Sequence, residues 1–392
     1  MITERDDRRV FFIEEDLDLK EFREICHRQP DLESWPLAGA VEEKILIYEG
    51  EALRRHLAGP DEESCRQELK TEWARCLKEG PGVFALRGAY SDLSVIDRST
   101  ELFDDILAKE KAEGGGEGDH FGANERIWNS KQKVCLRDPE LFVDYYGNPF
   151  LALACESWLG PCYQVTAQVN NVKPGGQAQS AHRDYHLGFQ TAETVSRFPA
   201  HAQVMSQFLT LQGAIAHGDM PLSSGPTLFL PYSQIHAPGY LACRDPAFVE
   251  FFDQHRVQIP FQKGDMVFFN PALFHGAGTN IGEVDRMANL LQISSAFGRT
   301  MESLDTHAMI RAVYPVLQKR LSSGVLTERH KGDCLAAVAD GYAFPTNLDS
   351  DPPLGGNAPG TDLKLMEEAL ESVWPMDRLM EALAARFDRR MP

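Results

Sequence analysis

The stretch that decides the fold of this chain is Ser180-Ala181-His182-Arg183-Asp184-Tyr185-His186. In an extended segment, residues two apart point to the same side, so His182 and Asp184 can grip one metal ion. A second stretch, Phe274-His275-Gly276-Ala277-Gly278-Thr279-Asn280, offers one more imidazole further along the chain. Two imidazoles and one carboxylate occupy one face of an octahedral ferrous ion and leave three positions open. The two stretches therefore predict one iron site, with His275 supplied from a strand that the fold brings alongside.

An arginine follows the second stretch and opens a mostly apolar run. Arg286 precedes Met287-Ala288-Asn289-Leu290-Leu291-Gln292-Ile293. An arginine that projects inward from such a strand holds a carboxylate through two parallel charge-assisted hydrogen bonds. The alternative is a surface arginine that pairs with Asp285 or Glu283. Asn289, three residues after Arg286, is expected on the opposite face of the strand.

The ordered set of these motifs resembles the phytanoyl-CoA dioxygenase family. The set is His182-x-Asp184, then Lys263-Gly264-Asp265-Met266-Val267-Phe268-Phe269, then His275 and Arg286, within residues 82–298. The resemblance implies an iron(II)- and 2-oxoglutarate-dependent oxygenase on a double-stranded β-helix. Such an enzyme uses O2 to hydroxylate a C–H bond of a small molecule and releases succinate and CO2. It implies three catalytic iron ligands, His182, Asp184 and His275. It also implies that Arg286 binds the far carboxylate of 2-oxoglutarate.

The same resemblance points to further contacts with 2-oxoglutarate. The family often carries a hydroxyl two residues after the distal histidine, where this chain has Ala277. Another group must then support the carboxylate, and Thr227 and Thr279 are the candidates. Asn171 resembles a position that contacts the cosubstrate in relatives, and its alternative interpretation is a turn residue.

His186 is the ambiguous member of the first stretch. In an extended segment it lies on the same side as His182 and Asp184, so it is expected to reach the pocket. A fourth protein ligand would crowd out oxygen or cosubstrate, so we expect His186 near the substrate or behind the ligands. A non-redox metal enzyme on a cupin-like barrel would instead use His182, His186 and His275 and would not need Arg286. A catalytically idle barrel that binds metal or 2-oxoglutarate is the other competing hypothesis.

A glycine-rich stretch, Glu113-Gly114-Gly115-Gly116-Glu117-Gly118-Asp119, is flexible by composition. His120, Arg126 and Trp128 follow it, and they form a concentration of groups suited to binding. We therefore predict that these three residues belong to the substrate pocket and that the stretch closes over it as a lid. The alternative is an ordinary surface loop.

Many short strands separated by glycine and proline turns favour a barrel or jelly roll. The predicted strands cover 83–88, 163–172, 208–216, 227–230, 266–269 and 287–297. Helical spacing covers 62–79, a segment that begins at 92, 139–158, 307–321, 327–339, 363–373 and 376–387. The predicted class is α+β: a double-stranded β-helix (jelly-roll, cupin-like) core with helices packed outside. Residues 1–392 are predicted to form one domain, with an N-terminal helical extension (1–81), the core (82–298) and a C-terminal helical extension (299–392).

The bulk composition is that of an ordinary globular protein. The 392 residues are 43% hydrophobic and 25% charged, and the net charge is −19. This charge argues against nucleic acid or an anionic membrane surface as a partner. The eight cysteines contain no Cys-x-x-Cys pair, which suits a reducing compartment. The only apolar run near the N-terminus, Val10-Phe11-Phe12-Ile13, is too short for a signal peptide. We expect a cytoplasmic protein with a small-molecule substrate, and the sequence leaves its oligomeric state open.

Overall fold

Ten β-strands form two sheets in this computed structural model, which describes residues 10–113, 124–353 and 355–391. The strands are β1 (Ala40–Glu42), β2 (Ile45–Glu49), β3 (Val83–Arg87), β4 (Glu125–Ile127), β5 (Gln164–Val172), β6 (Thr210–Ala216), β7 (Leu228–Leu230), β8 (Met266–Phe269), β9 (Phe274–Gly276) and β10 (Arg286–Ser294). The large sheet has the order β1-β2-β3-β8-β6-β10-β5-β4, and the small sheet pairs β7 with β9. All neighbours are antiparallel except β2 and β3.

Fifteen α-helices surround these sheets within the described residues. They are α1 (Leu19–Cys26), α2 (Gly50–Leu57), α3 (Glu62–Lys78), α4 (Ser94–Ala112), α5 (Ser130–Arg137), α6 (Pro139–Tyr146), α7 (Pro149–Leu159), α8 (Ala192–Ser196), α9 (Ala200–Ser206), α10 (Gly239–Ala242), α11 (Pro246–His255), α12 (Thr306–Ser322), α13 (Glu328–Val338), α14 (Asp362–Glu371) and α15 (Met376–Arg390). The single helix predicted over 139–158 is two helices, because Asn148 caps α7 and Pro149 occupies its first turn. No helix of the described part of the chain is long and apolar enough to cross a membrane.

Strand β10 lies between β5 and β6, and its side chains point alternately to the two faces of the large sheet. On its outer face, Leu291 and Ile293 join the main hydrophobic core with the surrounding helices. Asn289 also faces outward, as predicted, and is fully buried between the hydroxyls of Tyr145 and Tyr146. The inner face of the same strand turns toward the small sheet. Alternate residues of β10 therefore either pack in the core on the outer face or face the cavity on the inner face.

The small sheet faces the inner side of the large one. The ring of Phe229 on β7 lies 5.1 Å from that of Phe269 on β8, and both belong to one buried cluster between the sheets. An isolated backbone bridge joins His182 to His275 on β9 and extends the small sheet by one segment. This arrangement of two facing sheets with external helices confirms the predicted α+β fold class.

The first 81 residues contribute more than helices. Strands β1 and β2 add to the edge of the large sheet through the parallel pairing of β2 with β3, so this part of the chain differs from the predicted helical extension. Helix α3 packs against the sheet, with the ring of Trp73 stacked 4.7 Å from that of Phe84. Helix α12 packs against α14, and the hydroxyl of Tyr314 in α12 donates a hydrogen bond to the carbonyl of Ala369 in α14. The division at 82 and 298 stays a prediction.

Candidate active site

His182, Asp184 and His275 converge at one place between the two sheets. The backbone N–H of each histidine donates to the carbonyl of the other, at 3.1 and 3.2 Å, so the two rings are held side by side. The Nε2 atom of His182 lies 3.6 Å from Asp184 Oδ1, and that of His275 lies 3.4 Å from Asp184 Oδ2. One ligand atom from each residue lies within 4.8 Å of the others. It is the only such group of histidine, cysteine, aspartate or glutamate side chains found in the described chain.

Backbone contacts fix which nitrogen of each ring is available. His182 Nδ1 lies 2.9 Å from the carbonyl oxygen of Ser180, and His275 Nδ1 lies 2.8 Å from that of Leu273. A carbonyl only accepts, so both Nδ1 atoms carry the hydrogen and donate it. Nε2 of each ring therefore faces Asp184: a protonated ring can donate from it to the carboxylate, and a neutral ring offers its lone pair there to a metal ion.

The electrostatics of the cluster keep the carboxylate ionised. Burial acts to raise the pKa of Asp184, but the hydrogen bond from His275, the charges of both rings and a hydrogen bond from Gln212 outweigh it, so the pKa lies below its usual value. Burial lowers the pKa of His182, and His275 adds to this shift. A neutral imidazole beside an ionised carboxylate is the protonation state that binds a metal cation.

His186 does not join this cluster. Tyr185 and His186 have left-handed backbone angles (φ 63° and 41°), so the chain turns directly after Asp184 and strand parity ends there. The His186 ring lies outside the cavity, with its Nδ1 atom 3.1 Å from the hydroxyl of Ser206. A site built on His182, His186 and His275 is therefore not assembled.

Arg286 is a buried cation that faces the cavity. It is 7% exposed, and its Nη1 atom makes only a long contact of 3.4 Å to the carbonyl of Gly278. Burial lowers its pKa to about 10, and no charged neighbour among the described residues contributes to the shift. Its sequence neighbour Asp285 pairs with Lys173 at 2.6 Å instead. A buried guanidinium without a counter-ion is costly, so this end of the cavity is suited to an anion.

The other predicted cosubstrate contacts lie in different places. Thr227 lines the cavity. Thr279 does not, because its hydroxyl accepts a hydrogen bond from the backbone N–H of Ala178. Asn171 points away from the cavity and donates to Glu125 and Asp285. Its neighbour Asn170 faces the cavity, because adjacent residues of β5 point to opposite sides.

The outer part of the cavity contains two of the predicted substrate residues. Arg126 and Trp128 both line it, and the guanidinium carbon of Arg126 lies 5.3 Å from the centre of the Trp128 ring. Arg126 also donates to Gln168 Oε1 at 3.1 Å. Residues 114–123 lie outside the described residues, and they include His120 and all of the predicted lid (residues 113–119) except Glu113. The cavity that joins these groups to the histidines has a volume of about 270 Å³.

Sequence reasoning missed several polar groups of this cavity. Gln168, Gln212 and Gln292 face it from three neighbouring strands, and the hydroxyl of Tyr185 is buried there without a hydrogen-bond partner in the described part of the chain. The strand that contains Arg286 was predicted. Because Gln292 follows Arg286 by an even number of residues, it could have been placed on the same face of that strand. No comparable signal marks Tyr185, because its position depends on the left-handed turn.

The sequence matches the family model described as Phytanoyl-CoA dioxygenase (PhyH) over residues 71–288. No curated protein matches the chain. Among solved structures, the chain is similar to the non-heme alpha ketoglutarate dependent carbocyclase SnoK from nogalamycin biosynthesis. Identity is 20%, the TM-score is 0.44, and the match covers 59% of this chain and 86% of SnoK. It is also similar to the epimerase SnoN of the same biosynthesis, at 16% identity and a TM-score of 0.40, over 60% of this chain and 84% of SnoN.

Proposed function

Because the chain belongs to the phytanoyl-CoA dioxygenase family of iron(II)- and 2-oxoglutarate-dependent oxygenases, we propose that its catalytic centre is His182, Asp184 and His275. The observation that carries this assignment is the convergence of two Nε2 atoms and one ionised carboxylate within 4.8 Å. These donors fit a ferrous ion, since they are the two-histidine, one-carboxylate set that leaves coordination positions for cosubstrate and O2. When bound, iron and 2-oxoglutarate supply an oxidant derived from O2 and release succinate and CO2.

We assign the far carboxylate of 2-oxoglutarate to Arg286. The guanidinium is buried in the cavity and has no counter-ion among the described residues, so a dianionic cosubstrate would neutralise it. Thr227 lines the same cavity and is the hydroxyl we propose for a supporting hydrogen bond. Thr279 and Asn171, whose side chains contact other groups, are not part of this assignment.

The substrate we propose is a small molecule that is hydroxylated at a C–H bond. The cavity volume of about 270 Å³ lies just below the range of about 300–1,000 Å³ that small-molecule pockets span, so it suits a compact ligand. Trp128 and Phe189 line the cavity and are 53% and 58% exposed, so they offer apolar area that a bound substrate would cover and keep from water. The net charge of −19 disfavours nucleic acid as a partner.

We also propose that the protein works in the cytoplasm. All eight cysteines are free, and six of them are buried. Burial raises the pKa of several of these thiols, to about 12 for Cys26 and Cys135, so they remain protonated and unreactive. Free, buried thiols of this kind are typical of proteins from a reducing compartment.

Anaerobic titration with Fe(II), followed by 2-oxoglutarate, tests the assignment of the ligands. His182→Ala, Asp184→Ala and His275→Ala should each abolish ferrous binding and the formation of succinate while the thermal unfolding transition is retained. His186→Ala is the matched control, because it removes an imidazole from the same stretch and should bind iron as the wild type does. Iron binding that survives His182→Ala and is lost in His186→Ala would overturn the assignment.

A further inference from the structure

Three glutamine side chains lie next to one another across the inner face of the large sheet. We call Gln168 on β5, Gln292 on β10 and Gln212 on β6 the amide row. Gln168 Nε2 donates to Gln292 Oε1 at 3.1 Å. Gln292 and Gln212 are directly paired in the register of β10 with β6, which places their side chains side by side. The row therefore crosses three neighbouring strands of the sheet.

Each end of the amide row contacts a group of the active site. At the inner end, Gln212 Nε2 donates to Oδ2 of Asp184. At the outer end, Arg126 Nη1 donates to Gln168 Oε1 at 3.1 Å. The row thus connects the proposed iron carboxylate with the arginine beside Trp128 in the outer cavity.

The central gap of the row contains an unsatisfied acceptor. Gln212 is 7% exposed, and its Oε1 atom is buried without a hydrogen-bond partner among the described residues. Gln292 is the residue directly opposite, and its side-chain amide nitrogen is a hydrogen-bond donor. Buried polar atoms are rarely left unpaired, so this oxygen is an acceptor available to a donor of the row.

We propose that the amide row is a positioning device for Asp184. The hydrogen bond from Gln212 occupies Oδ2 and leaves Oδ1, the atom nearer to His182, as the oxygen that ligates iron. Gln292, which lies beside Gln212 and is itself hydrogen-bonded to Gln168, restricts the orientation of Gln212 by packing, and the contact of Gln168 with Arg126 makes this orientation depend on occupancy of the outer cavity. The proposal rests on the assignment of Asp184 as an iron ligand.

The test measures ferrous affinity under anaerobic conditions in three single variants of the full chain. Gln212→Leu removes the bond to Asp184 and should weaken Fe(II) binding about 10–100-fold, as the loss of a group that orients a metal ligand does. Gln292→Leu should weaken it in the same direction by a smaller factor. Asn170→Leu is the matched control, because it removes an amide from the same face of β5 outside the row, and should leave ferrous affinity at the wild-type value.

A double-mutant cycle decides whether the row acts as a unit. The cycle adds the single variant Gln168→Leu: if Gln168 acts through Gln212, Gln168→Leu alone weakens Fe(II) binding, and the loss in the double variant Gln168→Leu, Gln212→Leu equals that of Gln212→Leu alone. Additive losses, or wild-type affinity in Gln212→Leu, would overturn the proposal. Failure of the wild type to bind Fe(II) would overturn the ligand assignment itself, so the two failures are distinguishable. Thermal unfolding of each variant separates loss of fold from loss of metal binding.

Discussion

At the scale of single residues, the most informative side chain is Arg286. A guanidinium buried without a counter-ion among the described residues lowers the stability of the empty fold, yet its position at the start of β10 directs it into the cavity. We therefore expect Arg286 to contribute to the binding of an anion and not to stability. An anion of the right length converts an unpaired buried charge into a hydrogen-bonded pair.

Replacing this arginine should affect the cosubstrate and not the metal. Loss of a buried charge pair costs on the order of 2–5 kcal/mol, so Arg286→Ala should raise the Kd for 2-oxoglutarate by about 30-fold to several thousandfold. Arg286→Lys should recover only part of it, because an ammonium lacks the planar fork. Calorimetric titration in the presence of Fe(II) measures both. An unchanged Kd in Arg286→Ala would show that the cosubstrate carboxylate binds elsewhere.

At the scale of single elements, strand alternation explains both the successes and the errors of the sequence analysis. Asn289 was predicted on the outer face from its distance to Arg286, and the structure confirms it, because β10 is regular over all nine residues. Asn171 was assigned to the cosubstrate from the family resemblance alone, and in β5 its side chain points away from the cavity toward Glu125 and Asp285. His186 was expected to reach the pocket because the spacing of an extended strand was assumed to continue past Asp184, where the chain turns. Parity is reliable only where the element is known to be extended.

The outer face of β10 gives a prediction about stability. Asn289 accepts from Ser130 at 3.0 Å and donates to Tyr146 at 3.0 Å and to Tyr145 at 3.2 Å. Asn289→Ala removes three buried hydrogen bonds from the core, so it should lower the free energy of unfolding by about 3 kcal/mol. The Kd for 2-oxoglutarate should stay at the wild-type value. Urea titration and calorimetry measure the two quantities, and a change in Kd without a loss of stability would contradict this division of faces.

At the scale of the whole molecule, the core contains two histidines that stay neutral in the folded protein until the pH approaches 3. His217 lies between Thr100 (Nδ1 to Oγ1, 2.9 Å) and Tyr145 (Nε2 to hydroxyl, 2.7 Å), and burial lowers its pKa to about 3. Burial likewise lowers the pKa of His236 to about 3, and the charge of Arg183 adds to the shift. In the unfolded chain both rings titrate near their ordinary value of about 6.5. At acidic pH these rings are therefore neutral in the folded state but protonated in the unfolded state.

Stability should fall as the pH falls below about 6.5. The unfolded state binds protons there, and the folded state does not until about pH 3, so each histidine removes about 1.4 kcal/mol from the free energy of unfolding per pH unit within this window. His217→Gln should make the dependence shallower by the contribution of one proton. Urea titrations between pH 7 and pH 4 measure the slope. An equal slope in wild type and variant would show that His217 is protonated in the folded protein.

The same scale shows what the sequence could not provide. Strand β1 was missed because three residues are too few for alternation to be visible, and β2 because its first four residues are all buried, so that polar and apolar residues do not alternate. The amide row was missed because its glutamines lie far apart in sequence and meet only through the order β5-β10-β6. By contrast, the pairing of His182-x-Asp184 with a distant histidine could be predicted, since the chemistry of the ion restricts which side chains are suitable.

The positive φ angles of Tyr185 and His186 have a consequence for the number of ligands in the proposed metal site. If the chain stayed extended past Asp184, His186 would face the same side as His182 and offer a third imidazole. Three imidazoles and one carboxylate would complete a four-coordinate shell, the coordination number of structural zinc sites. Because His186 is turned away, the proposed site has three protein ligands and, with a ferrous ion bound, would keep open positions for cosubstrate and O2.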